Sequence, residues 1–381
     1  TDFACFVHDA DLPFPHFLRY VNFSAIILGP TFLCARYDEK KLNSIKRKYS
    51  FVQNSAAVKV ALPQDDYDCC QILDTWLSEW KIDIVYTICP EHWDILYPQF
   101  KRLGEIRLGF TGYIPDDWIS KWSSPRAYSD RKIDISYRGS KLPPNFGFLG
   151  QLKYLIADRV KNELSDQDSK INIDISTKDS DMIAGESWHE FMESSKACLV
   201  APAGSSLLDP DNNIRSCITR LSKDKKYRDF SEVEELCFSG QDGNFIFSML
   251  SPRNVEAALS ETLQIAFEGS FSGLLKPHED YLLLRKDCKN INEIIEVIKC
   301  PDEALKIITS CKKKILSVPR LRQRVIVDEI IEYIKNNSKR GEETKKNLSH
   351  IIYWCNIVTE PIYLKTYYGL KIAIKKLIGR V

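Results

Sequence analysis

Short runs of β-branched and apolar residues recur along this chain, and each alternates with a longer amphipathic stretch. Residues 25–28, 82–86, 197–200, 263–267 and 281–284 have the length and composition of buried strands. Between them, residues 70–80, 251–262, 291–298 and 302–315 repeat apolar positions every three or four residues, as a helix packed on one face does. This alternation predicts parallel sheets with helices on both faces. A length of 381 residues suits two such units better than one. The turn formers around Trp122-Ser123-Ser124-Pro125-Arg126 mark the boundary between them, and a polar break at residues 335–341 marks the end of the second. The expected division is a first lobe over 1–125, a second over 126–334, and a helical tail over 335–381 that crosses back or meets a membrane.

Composition removes several function classes. Hydrophobic residues make up 44% of the chain, enough for a core in each lobe, and the net charge of +1 offers no broad basic field for nucleic acid. The twelve cysteines are scattered, mostly inside apolar runs (Cys5, Cys34, Cys89, Cys198, Cys217, Cys237), and the adjacent Cys69-Cys70 lacks metal-ligand spacing. They read as free thiols in a reducing cytosol. No apolar run is long enough to cross a bilayer and no leader pattern is present, so the expected location is cytoplasmic, extending to the inner face of the membrane. The tail at 363–381 carries Lys365, Lys371, Lys375, Lys376 and Arg380 among apolar residues and no acid, a composition suited to anionic lipid or to a helix docked on the first lobe. A P-loop, a Gly-x-Gly-x-x-Gly turn and a Gly-x-Ser-x-Gly elbow are all missing.

In open α/β sheets ligands bind beyond the carboxyl ends of the strands, so the loops there carry the candidate chemistry. Ala203-Gly204-Ser205-Ser206-Leu207-Leu208-Asp209 follows one predicted strand. Gly204 permits a tight turn, Ser205 and Ser206 offer hydroxyls, and Asp209 could stabilise or attack an electron-poor carbon. Asp209-Pro210-Asp211-Asn212 is equally turn chemistry, and its Asp-x-Asp spacing leaves a metal pair as a minor alternative. Ser251-Pro252-Arg253-Asn254-Val255-Glu256 reads as a helix start with Ser251 at the N-cap. Such a start, with Arg253, favours a phosphate, while Glu256 could take a ribose hydroxyl. The loop from Glu268 through Gly273, Lys276 and His278 to Tyr281 could close on the same ligand. Arg138, after the first strand of the second lobe, could face its floor. In the first lobe, His8, Asp9 and Asp11 after an expected strand at 4–7 are acid/base candidates, or simply a polar turn.

Taken in order, several of these stretches resemble a family of bacterial surface-polysaccharide glycosyltransferases with the GT-B fold, similar to retaining Kdo transferases. The resemblance covers about 130–310. It rests on Tyr137-Arg138-Gly139-Ser140-Lys141-Leu142-Pro143, Gly147-Phe148-Leu149-Gly150, the Ser-rich turn ending at Asp209, Ser251 to Ala257, Glu268 to Pro277, and Lys286-Asp287 with Asn290. Thr111-Gly112-Tyr113 at the end of the first lobe fits as well. The family usually has Glu-Ser-Gly near Ala201-Pro202-Ala203-Gly204 and His where this chain has Asn254.

The resemblance implies an α/β GT-B chain: two Rossmann-like lobes facing a cleft, with a C-terminal helix packed back on the first. It implies a metal-independent transferase without a cofactor, using a nucleotide-sugar co-substrate held by Arg138, Ser205, Ser206, Ser251, Arg253, Asn254, Glu256, Glu268, Gly273, Lys276, His278 and Tyr281. Asp209 would stand at the anomeric centre, with His8, Asp9 or Asp11 on the side of a polysaccharide or lipid-linked acceptor. CMP-Kdo and UDP-, GDP- or dTDP-linked neutral sugars remain open as donors. A non-catalytic glycan-binding module and a sugar-nucleotide epimerase of the same architecture are the alternatives.

Overall fold

A computed structural model describes residues 4–165, 171–223 and 229–338. The first lobe holds four parallel strands in sequential order: β1 (Ala25–Leu28), β2 (Val58–Ala61), β3 (Ile84–Thr87) and β4 (Glu105–Leu108). Helices α1 (Glu39–Lys48) and α2 (Cys70–Glu79) connect them, and α3 (Asp116–Lys121) leads out of the lobe. Asp38 caps α1 by accepting from the Lys41 amide, and lysine and arginine fill its last turn, where they complement the helix dipole. Residues 4–7 form no strand, in contrast to the sequence expectation.

The second lobe is a five-stranded parallel sheet of β5 (Ile133–Arg138), β6 (Ile173–Ser176), β7 (Ser195–Val200), β10 (Leu263–Ala266) and β11 (Leu282–Leu283). Its spatial order is β6-β5-β7-β10-β11, the doubly wound order whose chain direction reverses between β5 and β7. Helix α4 (Gly147–Ser165) places Leu149, Leu152, Ile156 and Val160 against Ile135, Leu199 and Ile265. This is the spacing that puts one stripe of a helix on a sheet. Further along come α5 (Glu186–Glu193), α6 (Asn213–Lys223), α7 (Phe230–Cys237), α8 (Pro252–Leu259), α9 (Ile291–Lys299) and α10 (Pro301–Leu316).

A two-stranded antiparallel ribbon, β8 (Ala203–Ser205) with β9 (Phe247–Met249), leaves the end of β7. Between its strands the described residues form a helical insert with a small core of Leu207, Ile214, Ile218, Val233 and Phe238. Gly204 has a φ of +122°, and a β-carbon there would lie 1.7 Å from the Phe247 carbonyl, so the ribbon closes only around glycine. Cys217 on α6 and Cys237 on α7 form a disulfide. The expectation of free thiols throughout fails at this pair, because the insert folds two helices together and carries the cysteines with them. The other cysteines among the described residues are free.

The helix that returns to the first lobe is α11 (Gln323–Asn337). Its Ile326, Ile330 and Ile334 pack on Val58, Val60, Ile84 and Tyr86 of the first sheet. Burial of this kind contributes roughly 1.5–3 kcal/mol per side chain. Glu329 adds contacts to Arg107 at 2.8 Å and Tyr86 at 3.2 Å. The boundary expected at 334 therefore falls inside a helix of the first lobe's own packing. The architecture is otherwise the expected one, two Rossmann-like lobes with the chain crossing back. The expected tail over 335–381 begins at the end of α11, and 339–381, including the basic stretch 363–381, lies outside the described residues. No described helix is long and apolar enough to cross a membrane.

Candidate functional site

Tyr137 near the end of β5 meets Arg253 at the start of α8, and the local sequence builds that start firmly. The Asn254 amide donates to Ser251 Oγ at 3.3 Å, and the Ser251 amide donates to Asn254 Oδ1 at 2.9 Å, a capping box that leaves the helix well ordered. Asn254 is fully buried and also donates to Gln264 Oε1 at 2.8 Å. Ser251 and Asn254, expected among the donor contacts, are therefore committed to the helix itself. Thr111 Oγ1 donates to the Leu250 carbonyl at 2.6 Å, and Gly112 lies against Pro252. The end of the first lobe thus seals the same turn, a structural role for Thr111-Gly112-Tyr113.

Arg253, the next residue, is held without a carboxylate partner among the described residues. Its guanidinium lies 5.0 Å from the Tyr137 ring centroid and 5.2 Å from that of Trp188, and its Nε is buried with no hydrogen-bond acceptor. Trp188 Nε1 donates to Glu256 Oε2 at 3.0 Å, so Glu256 and Arg253 frame one aromatic wall. Lys153, two turns into α4, faces the same region, and no hydrogen bond or ion pair reaches its ammonium among the described residues. Burial pulls its pKa below the ordinary lysine value, Asp65 of the first lobe works against that shift, and Arg253 adds to it. Two cations that act on each other electrostatically, one with a buried unmet donor, favour an anion here.

The Ser-rich turn has a different occupation. Gly147 opens α4 at a φ of +62°, where a β-carbon would lie 2.4 Å from Ser206 Oγ and 2.5 Å from Asp242 Oδ1. That close approach lets the Phe148 amide donate to Asp242 Oδ2 at 2.8 Å and the Leu149 amide donate to Ser206 Oγ at 3.0 Å. The free amides of this helix start are thus met by the insert's own oxygens. Ser205 Oγ accepts from the Leu207 amide at 2.9 Å inside the turn.

Asp209 is buried at 2% exposure. Its Oδ2 accepts from the Arg215 amide at 2.9 Å and so caps α6, while Oδ1 is buried with no partner. Burial raises its pKa, the Arg215 amide opposes the rise, and Asp68 adds to it. The turn reading of Asp209 to Asn212 is realised in this cap, and one carboxylate oxygen is left over.

The remaining expected residues divide. The 268–273 loop closes on β9 as the Ser270 amide donates to Ser248 Oγ at 3.0 Å and the Leu250 amide donates to Ser272 Oγ at 3.1 Å. This brings Glu268 and Gly273 to the approach of α8. Lys276 and His278 are exposed, with Lys276 3.8 Å from Glu279, and their loop is anchored on α10 where Ser310 Oγ donates to Asp280 Oδ1 at 2.9 Å. Tyr281 is buried against Phe271. Arg138 is committed to structure: it pairs with Asp174 at 2.8 Å, donates to the Tyr137 and Asp181 carbonyls at 2.9 Å, and stacks 4.4 Å from the Phe191 ring centroid. His8 meets the Tyr49 hydroxyl at 2.7 Å, Asp9 accepts from the Asp11 amide at 2.9 Å, and Asp11 pairs with Lys41 at 2.8 Å. These contacts gather the three residues on α1 and its following turn, and none of them involves Asp209.

Lys153, Trp188, Asp65 and Arg215 were not singled out in the sequence. Each lies in an ordinary helical or loop context, and each acquires its meaning from a residue far away in the chain. The Asp65-Asp66-Tyr67-Asp68 acid run was the one local signal available for the first-lobe side.

No family model and no curated protein matches this chain. Solved structures do match. TarM aligns at a TM-score of 0.47 and 10% identity over 84% of this chain and 57% of its own length. Sucrose-phosphate synthase from Thermosynechococcus elongatus aligns at 0.46 and 12% over 84% and 75%. The Anabaena protein HepE, in complex with UDP, aligns at 0.44 and 10% over 81% and 78%. This chain thus spans little more than half the length of TarM. Likeness at these scores decides nothing about its chemistry, and its fold rests on the two strand orders described above.

Proposed function

We propose that this chain is a glycosyltransferase that takes a sugar from a nucleotide donor held by its second lobe and passes it to a polysaccharide or lipid-linked glycan presented to its first. The observation that carries this reading is the buried Arg253 Nε that has no acceptor, at the start of α8 against the Tyr137 and Trp188 rings, with Lys153 near enough for Arg253 to act on its charge. An anion that fits both cations is a sugar-nucleotide phosphate. The sequence resemblance, which includes Ser251 to Ala257, points the same way.

In this reading Arg253 and Lys153 take up the charge that develops on the leaving phosphate, without need of a metal. Trp188 and Glu256 flank the nucleoside side. The bond between the anomeric carbon and the phosphate oxygen breaks with its electron pair leaving on the nucleotide. The unpartnered Oδ1 of Asp209 is assigned to the anomeric carbon, which it stabilises or captures before the acceptor hydroxyl displaces it and gives its proton to the departed phosphate; two displacements retain configuration. The donor is a CMP-linked acid sugar such as CMP-Kdo, or a UDP-, GDP- or dTDP-linked neutral sugar.

The test is turnover of each nucleotide sugar with and without glycan acceptors, in the wild type and in Asp209→Asn. Acceptor-dependent nucleotide release that falls at least about a hundredfold in the variant supports the reading. The amide can still cap α6, so a variant that stays folded and equally active removes Asp209 from the chemistry. Turnover without any acceptor favours an epimerase.

A further inference from the structure

Cys217 and Cys237 tie α6 to α7, and the start of α6 is where the insert meets the first lobe. The Arg215 amide, two residues before Cys217, donates to Asp209 Oδ2 at 2.9 Å. The Arg215 guanidinium pairs with Asp68 and lies 4.2 Å from the Tyr37 ring centroid, and Asn212 Nδ2 donates to the Tyr37 carbonyl at 3.3 Å. Beside them the two backbones interlock. The Cys69 amide donates to the Asp209 carbonyl at 2.6 Å, the Asp209 amide to the Tyr67 carbonyl at 3.1 Å, and the Gln71 amide to the Pro210 carbonyl at 2.9 Å. Arg36, fully buried, shapes this 65–71 loop by donating to the carbonyls of Gln64 at 2.6 Å, Asp65 at 2.9 Å and Asp68 at 2.9 Å. The first turn of α6 therefore holds both the Asp209 carboxylate and the loop of the first lobe that covers it.

The packing of α6 on its own side is slight. Ile214 and Ile218 meet Leu207, Val233 and Phe238, and these five make up the insert's buried apolar core. A unit with so small a core opens locally more readily than the sheets beside it. The disulfide adds a covalent tie to that core. Both of its cysteines are half-exposed, whereas Cys69, Cys70, Cys89, Cys198, Cys288 and Cys311 are buried. A thiol in solution thus reaches this sulfur pair and not the sheltered ones. We propose that the Cys217–Cys237 disulfide is a redox-sensitive latch: a dithiol reductant that opens it releases the start of α6, and with it the hold on Asp209 and on the 65–71 loop. In the exchange, one thiolate of the dithiol attacks a sulfur of the pair and displaces the other as a thiolate. The second thiol of the reductant then closes the reductant's own disulfide, so the dithiol is oxidised and its two protons end on Cys217 and Cys237. Only the effect on turnover rests on the assignment of Asp209 to the anomeric carbon; the opening of the seam does not.

Alkylation of the full chain with N-ethylmaleimide, resolved by residue in a mass spectrometer, reads the latch through Cys69 in the seam and Cys198 inside β7. Three forms are compared: air-oxidised wild type, wild type reduced with dithiothreitol and freed of it under nitrogen, and the double variant Cys217→Ser with Cys237→Ser. Cys69 is expected to react at least about tenfold faster in the reduced protein and in the variant, with Cys198 unchanged, because a local opening exposes only its own unit. Reoxidation is expected to restore the slow rate. An unchanged Cys69 rate, with Cys217 and Cys237 shown to be reduced by their own alkylation, overturns the latch. A parallel rise at Cys198 overturns it too, since that marks loosening of the whole chain, and so does an air-oxidised protein without the disulfide. The reduced wild type decides the matter if the variant does not fold. Turnover with donor and glycan acceptor separates the two readings. A rate that falls on reduction and recovers on reoxidation carries the latch through to the reaction, whereas equal turnover beside faster Cys69 labelling keeps the latch and removes Asp209 from the chemistry.

Discussion

Asp66 shows what burial does to a single carboxyl in this molecule. It is fully buried, its Oδ2 accepts from the Tyr97 hydroxyl at 2.6 Å and from Thr87, and its Oδ1 has no partner. Burial raises its pKa and outweighs the lowering effect of Thr87, Tyr97 and Arg36. A carboxyl whose folded pKa lies above its unfolded value, about 3.9, contributes its stability below that value and loses it as pH rises through the folded one. Asp66→Asn is uncharged throughout and escapes that loss. Urea unfolding at pH 4 and pH 8 should therefore show the variant gaining on the wild type between the two, by about 1.4 kcal/mol for each unit the pKa is raised. A stability difference that does not move with pH would contradict this. The functional residues differ in how readable they were. Arg253 could be found because Ser251-Pro252 marks its position at a helix start without reference to anything else. Lys153 could not, since a lysine inside a helical pattern is usually solvated, and only the fold buries it within reach of the charge on Arg253. Arg138 misled for the same reason: an arginine after a strand can face a ligand, but here Asp174 and the Phe191 ring reach it first.

At the scale of elements, β1, β3, β7, β10 and β11 were legible because each is a short apolar run that needs no partner to be recognised, whereas β2, β4 and β6 were not singled out, the last two because charged residues interrupt them. β11 is the weakest, two residues at the sheet edge. The segment at 4–7 failed because an apolar run becomes a strand only where a neighbour offers a ladder, and none pairs with it among the described residues. The insert at 206–246 was not legible as a unit. Its disulfide joins positions 20 apart in a chain with twelve cysteines, and spacing alone does not pair them. Closing a loop of that length contributes about 3 kcal/mol in the chain-entropy account. Reduction, or Cys217→Ser, is expected to loosen α6 and α7, where the local core is small, and to lower the thermal midpoint. A midpoint that stays constant with the thiols shown to be free by mass would mean that Leu207, Ile214 and Phe238 suffice to hold the insert.

For the whole molecule, the two-lobed plan followed from alternation and length, whereas the way the lobes are tied did not. Beside the turn sealed by Thr111 on the Leu250 carbonyl, two seams tie them: α11 on the first sheet, with Glu329 between Arg107 and Arg320, and the insert on the 65–71 loop, with Arg215 on Asp68. Both join positions more than a hundred residues apart, beyond any periodicity in the sequence. The second seam lies over Asp209, so the state of the lobes bears directly on that residue. In the proposed reading the second lobe binds a nucleotide phosphate through Arg253 and Lys153. Thermal unfolding of the wild type, Arg253→Ala and Lys153→Met against increasing CMP, UDP, GDP and dTDP tests it most directly. A ligand of the folded state at a hundred times its Kd stabilises by about 2.7 kcal/mol. The account predicts that one nucleotide raises the wild-type midpoint with concentration and leaves both folded variants unmoved. A wild type that responds to none of the four, or variants that respond as it does, would contradict it.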